Sequence, residues 1–254
     1  MTSTSQSNAS QHAQRLWSKL ELIVFDLDGT LRHNDPPGLD TFYALASGFG
    51  LRPGVDKLRS AERWTHHYWA NSEDLRQDIE AAGDDRNYVW LQFTRRHVEQ
   101  LGGDPAEAEE LARQLNRAMR DEYKPVNRVP DDVLPSLDRL RRSGYRLGLV
   151  SNRDNPLHEL VDELGLGAEF EFALAAGEVG YWKPDPRLLQ HAVGLAGVEP
   201  AAAMYVGDNF YADVAGAQAA GLQPVLVDPK GLFTEAECPV IESIGQLPAL
   251  LNGD

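Results

Sequence analysis

Residues Leu20–Leu31 read LELIVFDLDGTL, an apolar run that ends abruptly in acid. Leu22, Ile23, Val24 and Phe25 have the composition of a strand buried on both faces of a parallel sheet. Asp26 stops the run and Asp28 follows two residues later. In extended chain residues i and i+2 project to the same side, so both carboxylates can converge at the strand end. Gly29 then permits a sharp turn, because it lacks a Cβ. One explanation is an ordinary Asp- and Gly-rich turn. The other is chemical: two close carboxylates repel each other and ask for a cation, and hard oxygen ligands suit Mg²⁺.

Working outward, other apolar runs have the same form. Tyr145–Val150 ends at Ser151-Asn152, and Ala203–Val206 ends at Gly207-Asp208. Val225–Val227 reads as a final central strand ending at Asp228, and a short strand is expected around Phe172–Leu174. Helical patterns lie between them. One covers Asp132–Arg142 with Leu134, Leu137 and Leu140, and another carries Leu157, Leu160, Val161 and Leu164. Asp185 as N-cap and Pro186 as first residue open a helix through Val193. A further helix over Ala212–Ala220 closes at Gly221, and Leu247, Leu250 and Leu251 suggest a last helix packed on the core. This alternation predicts an α/β fold, a doubly wound, Rossmann-like parallel sheet.

Between the first and second strand runs the pattern changes. His33–Gly38 is a loop by composition, and residues 39–123 read as helical without a strand. Asp104-Pro105 looks like a helix start for Ala106–Met119, with Leu111, Leu115 and Ala118 on one face. The expected organisation is a leader over residues 1–19, a core from residues 20–33 and 128–254, and a helical insert over 34–127. Leu16 and Trp17 are expected to dock on the core. Arg63, Trp64, His66, His67, Tyr68 and Trp69 form a polar-aromatic cluster without metal-ligand spacing, best read as a half-buried helix with mixed faces. Arg95-Arg96 reads as a solvated helix face rather than a substrate contact, and Trp182 as packing.

Composition sets outer bounds. The 254 residues are long enough for one or two domains. A net charge of -15 argues against general affinity for nucleic acid or anionic membranes, so neither is expected as a partner. Handling of phosphate by so acidic a chain requires a locally reversed field, which a metal and a lysine can supply. Cys238 is the only cysteine, so an intrachain disulfide is impossible. No apolar run approaches membrane-spanning length, and residues 1–19 lack the apolar centre of a secretory signal, so a cytoplasmic protein is expected. Oligomeric state is not legible.

In an open α/β sheet, ligands bind beyond the carboxyl ends of the strands. Asp26, Asp28, Ser151, Asn152 and Asp208 would gather there, joined by Lys183 from the loop Gly180–Pro186, GYWKPDP. Carboxylates, a hydroxyl and an ammonium form a coherent set for phosphoryl transfer.

At these residues the chain resembles the haloacid dehalogenase superfamily of aspartate-nucleophile phosphohydrolases. DLDGT at 26–30, Ser151 after Leu-Gly-Leu-Val, Lys183 in GYWKPDP and GDNFYAD at 207–213 match its four motifs in order. The resemblance, with the chemistry, implies Asp26 as nucleophile, forming an aspartyl-phosphate. A carboxylate with pKa near 4 would need no activating base. Asp28 would be general acid and then base, its pKa raised by burial among carboxylates. Ser151 and the backbone N–H of Asn152 would hold phosphate oxygens, and Lys183 would neutralise charge between phosphate and nucleophile. Mg²⁺ would sit on Asp26, Asp208 and the backbone carbonyl of Asp28, with Asp213 acting from behind on the metal waters or Lys183. Ala212 stands where many relatives carry Asn. The insert corresponds to the family's helical cap, which closes over the site and selects substrate. The implied activity is Mg²⁺-dependent hydrolysis of a small phosphorylated metabolite. Phosphotransferase or mutase chemistry and a non-catalytic binding role are the alternatives. Release of halide is more remote, because the dehalogenase branch typically lacks the second aspartate.

Overall fold

The structure, a computed structural model, describes Trp17 and residues 19–252. In chain order, β1 (Leu22–Phe25) and β2 (His33–Asp35) precede five helices: α1 (Gly38–Gly48), α2 (Val55–Trp69), α3 (Glu73–Ala82), α4 (Arg86–Gln100) and α5 (Ala108–Glu122). Then follow β3 (Val126–Arg128), α6 (Val133–Arg142), β4 (Arg146–Ser151), α7 (His158–Glu163), β5 (Phe172–Ala175) and α8 (Ala176–Val179). The chain continues through α9 (Pro186–Ala196), β6 (Ala203–Gly207), α10 (Ala215–Ala220), β7 (Gln223–Val227), β8 (Val240–Ile241) and α11 (Leu247–Asn252). Contacts divide it into two compact units, one from His33 to Arg128 and the other from the flanking sequence.

The flanking sequence forms a parallel six-stranded sheet of order β5-β4-β1-β6-β7-β8. β1 lies inside it, with Val24 opposite Gly148 on one side and Tyr205 on the other. Its four residues are fully buried, and alternate ones feed different cores. Ile23 and Phe25 pack with Leu137, Leu140 and Leu247, whereas Leu22 and Val24 pack with Leu188, Ala192 and Ala217. Helices therefore cover both faces, and this explains why β1 is apolar throughout rather than alternating. Burial of each such side chain stabilises by about 1.5–3 kcal/mol. Gly148 makes room for a neighbour: a Cβ there would lie 2.3 Å from the Phe172 ring.

Asp185 caps α9 by accepting from the Arg187 N–H at 3.0 Å, and Pro186 occupies its first turn as expected. Leu247 and Leu251 are buried in the core. Trp17 is buried there too; the remainder of the expected leader, Leu16 included, lies outside the described residues except at Lys19.

Several local expectations change. β7 is an interior strand but not the final one, because the two-residue β8 pairs outside it through Leu226↔Val240 and Val227↔Ile241. Such a short edge strand leaves no periodicity to read. Residues 210–214 form a wider π turn, so the helix expected from Ala212 begins at Ala215. His33–Asp35 is an antiparallel ribbon with Val126–Arg128, not a plain loop.

In the helical unit, Asp104 makes a turn, accepting from the Ala106 and Glu107 N–H groups, so α5 starts at Ala108. The fully buried residues of α5 are Ala108, Ala112 and Leu115, a face rotated from the expected one. In the polar-aromatic cluster, Tyr68 is fully buried and donates to Asp78 at 2.9 Å. Arg96 is no solvated arginine: it pairs with Asp74 at 3.0 Å and Asp78 at 3.2 Å, tying α4 to α3.

Candidate active site

The strand ends bring the acidic residues together. Asp26 follows β1 and is almost fully buried; its N–H donates to the Val206 carbonyl at 2.9 Å. Lys183 Nζ is buried against three oxygens: Asp26 Oδ1 at 2.6 Å, Asp213 Oδ1 at 2.7 Å and the Tyr205 hydroxyl at 2.6 Å. Tyr205 in turn donates to the Val150 carbonyl at 2.9 Å. The Lys183 backbone is clamped by Asn152, whose Nδ2 donates to the Lys183 carbonyl at 2.9 Å while its Oδ1 accepts from the Lys183 N–H at 2.7 Å. Ser151 is buried at the end of β4.

Asp213 is also buried, and its Oδ2 accepts from the Asn209 N–H at 2.8 Å. Two glycines allow the carboxylates this close to backbone. A Cβ on Gly29, whose φ is +90°, would lie 2.5 Å from Asp208 Oδ2, and one on Gly207 would lie 2.3 Å from Asp213 Oδ2. Thr30 Oγ1 donates to Asp208 Oδ1 at 3.3 Å. Trp182 is half-buried against the core, as its packing reading expects.

Asp26, Asp208 and Asp213 each place a carboxylate oxygen within 4.8 Å of the others. Two buried carboxylates, Asp26 and Asp213, hold the Lys183 ammonium and the half-buried Asp208 lies beside them, an all-oxygen donor set with surplus negative charge that fits Mg²⁺. Burial, with Asp213 and Asp28 adding repulsion, pushes Asp26 up to about 7 although Lys183 opposes the rise. Asp208 is raised for the same reasons, by burial and then by Asp213 and Asp26. Burial works against the Lys183 ammonium, but Asp213 and Asp26 outweigh it and hold its pKa well above the usual lysine value. The expectation of an ordinary Asp26 pKa is therefore corrected.

Asp28 reverses its expectation. Burial would raise its pKa, but hydrogen bonds and charge from Arg153 and Arg32 prevail and hold it below the usual carboxylate range. Arg153 reaches Asp28 at 2.6 and 2.9 Å, and Arg32 reaches it at 2.7 Å. Its carboxylate thus faces arginines rather than the acidic cluster.

Sequence reasoning missed Tyr205, Arg153, Arg32 and Thr30 as parts of this site. A tyrosine in a fully buried strand run was a readable signal, because a buried hydroxyl requires a partner. Asp228, by contrast, is structural: its carboxylate accepts from the Leu232 and Phe233 N–H groups at 2.9 and 2.8 Å.

A parallel sheet with helices on both faces and acidic strand ends around a buried lysine defines a class of hydrolase. The chain belongs to the haloacid dehalogenase-like hydrolase family, whose sequence pattern matches residues 20–221. It is 40% identical over 239 residues to a phosphoserine phosphatase of Thermus thermophilus, covering 85% of this chain and 91% of that protein. It is 34% identical over 210 residues to mouse haloacid dehalogenase-like hydrolase domain-containing protein 3, covering 82% of each. Among solved structures, a 2-haloacid dehalogenase from Pseudomonas syringae is similar, with a TM-score of 0.53 and 27% identity over 91% of this chain and 98% of that one. No helix among the described residues is long and apolar enough to cross a membrane.

Proposed function

We propose that the protein is a phosphohydrolase that cleaves small phosphomonoesters through an aspartyl-phosphate on Asp26. The observation that carries this reading is the second carboxylate, Asp28, placed two residues beyond the nucleophile and held by two arginines. An alkoxide leaving group needs a proton, whereas a halide leaves without one, so a positioned acid suits a phosphate ester.

Asp26 attacks phosphorus through a carboxylate whose Oδ1 is fixed by Lys183. Asp28, held deprotonated by its two arginines, takes up a solvent proton with the incoming substrate and passes it to the departing alcohol oxygen. Asp28, now a carboxylate, takes a proton from the water that attacks the aspartyl-phosphate, releasing phosphate and restoring both aspartates. Ser151 and the Asn152 N–H receive phosphate oxygens, and the Asn152 clamp holds Lys183 beside the nucleophile. Mg²⁺ held by Asp26 and Asp208, with Asp213 beside them, would supply charge neutralisation for the phosphoryl group.

The 40% identity to a phosphoserine phosphatase supports a small, carboxylate-bearing phosphomonoester as the first substrate class to examine. The test is phosphate release from a panel of phosphorylated metabolites that includes phosphoserine, with and without Mg²⁺. Metal-dependent turnover lost in Asp26→Asn supports the reading. Silence of the wild type across the panel, or turnover retained by Asp26→Asn, overturns it.

A further inference from the structure

A second candidate site lies wholly inside the helical unit. A cavity of about 780 Å³ opens among α1, α2, α4 and α5, a volume typical of small-molecule pockets. Part of its wall is aromatic: Phe42 from α1, Trp69 from α2, and Trp90, Phe93 and His97 from α4. The His97 ring lies flat on Phe42, with centroids 4.8 Å apart and planes within 4°. Trp90 is 54% exposed, an unusual position for the largest apolar side chain.

The α5 wall is cationic. Arg113, Arg117 and Arg120 recur at spacings of four and three, which places them along one stripe of the helix. Arg113 is engaged by Glu109 and Glu110, and Arg117 lies 3.7 Å from Glu110. Arg120 makes no ion pair among the described residues. Among the described residues no acidic side chain lines the cavity, so Arg120 offers an uncompensated positive charge beside the aromatic rings.

The independent sign of a ligand is His97. Its ring is fully buried and burial pushes its pKa down to about 4, so it is neutral. Nε2 lies 3.4 Å from the Tyr43 hydroxyl, but Nδ1 has no hydrogen-bond partner. Buried polar nitrogens are rarely left unsatisfied, and this one belongs to a residue that lines a cavity large enough to hold a partner. Thr94 donates to Asn116 Oδ1 at 2.7 Å in the same wall, which leaves the Asn116 amide nitrogen as a further donor.

We infer that this cavity binds a small planar aromatic anion, with its ring against Phe42 and Trp90 and its acidic group at Arg120 on the α5 arginine stripe. Flat rings stack on the aromatic wall, and a guanidinium attracts the anion and packs on the ring face. A cationic ligand of the same shape is repelled by the stripe. The site is defined by residues of the helical unit alone, so it stands whether or not the strand-end site cleaves phosphate esters.

The test uses 2-naphthoate, which carries no phosphate and cannot be turned over. Calorimetric titration of the full-length protein should show saturable 1:1 binding, unchanged in Asp26→Asn. Arg120→Gln and Trp90→Ala, both at exposed positions, should each weaken binding by about tenfold or more. 2-Naphthylmethylammonium should not compete. In ¹⁵N-histidine-labelled protein, saturation with naphthoate should move the His97 Nδ1 resonance. Absence of binding, equal binding of the cation, or unchanged affinity in both variants with a stationary Nδ1 signal would overturn the proposal.

Discussion

Arg153 grips Asp28 through two hydrogen bonds, Nε to Oδ2 at 2.6 Å and Nη2 to Oδ1 at 2.9 Å. With Arg32 it keeps the carboxylate below its ordinary pKa despite burial. Arg153→Gln removes one of the two cations, so the Asp28 pKa rises and its proton is retained to higher pH. If Asp28 protonates the leaving group, the alkaline limb of the kcat profile moves upward in this variant. A pH–rate profile on one phosphomonoester checks this, and an unmoved limb would assign the acid elsewhere.

Among the described residues, Lys183 is the only cation whose side chain touches Asp26 and Asp213. Lys183→Met keeps much of the side-chain length but leaves two buried carboxylates without their partner, a loss of about 3–5 kcal/mol for a buried pair. Urea denaturation should show it. Combined with Asp213→Asn, the loss should be smaller than the sum of the single effects, because the second substitution removes one of the stranded charges.

The acidic cluster makes stability depend on pH in a defined direction. Asp26 has a folded pKa of about 7 against 3.8 for the ordinary group. The folded state therefore holds this proton more tightly than the unfolded chain. The stabilisation is complete below the ordinary carboxylate range and is lost as pH rises through about 7. In chelator, the wild-type Tm should fall between pH 5 and 8, and Asp26→Asn should flatten that slope. Each pKa unit corresponds to about 1.4 kcal/mol, and each kcal/mol to about 2–4 °C for a chain of this size. Added Mg²⁺ should raise the wild-type Tm at pH 8 and have little effect on Asp208→Asn.

Gly29→Ala tests the close approach at the strand end. The new methyl would sit 2.5 Å from Asp208 Oδ2 at a φ of +90°, so both the backbone and the carboxylate must shift. We expect about 1–3 kcal/mol of destabilisation, and Mg²⁺ affinity weaker by about tenfold or more. Calorimetry and Mg²⁺ titration of activity measure the two effects separately.

Asp78 serves both Tyr68 and Arg96 inside the helical unit. Asp78→Ala strands the buried Tyr68 hydroxyl and leaves Arg96 paired with Asp74 alone, a loss of about 1–3 kcal/mol. Asp78→Asn keeps an acceptor and should lose less. Urea midpoints of the two variants give the comparison.

Local sequence was enough for the parts of this protein whose physics is local. β1 is legible because a strand buried on both faces must be apolar at every position, and its break at Asp26 marks where burial gives way to chemistry. Asp185, Pro186 and Gly221 mark helix ends because caps satisfy backbone groups within a few residues. The order of acidic strand ends along the chain was enough to gather Asp26, Asp208 and Lys183 on one sheet edge.

Tertiary structure alone decided what depends on distance across the sheet. The Asp28 pKa is lowered by Arg153, 125 residues away in sequence, together with the neighbouring Arg32, and no periodicity announces the distant pairing. Tyr205 becomes a Lys183 ligand only because β6 lies beside β1. β8 is two residues long and exists because β7 offers it an unpaired edge. In the helical unit, the unsatisfied nitrogen of His97 emerges only when α1 and α4 stack Phe42 on its ring. Burial and charge are properties of assembled neighbours, so they become readable only when the chain has folded.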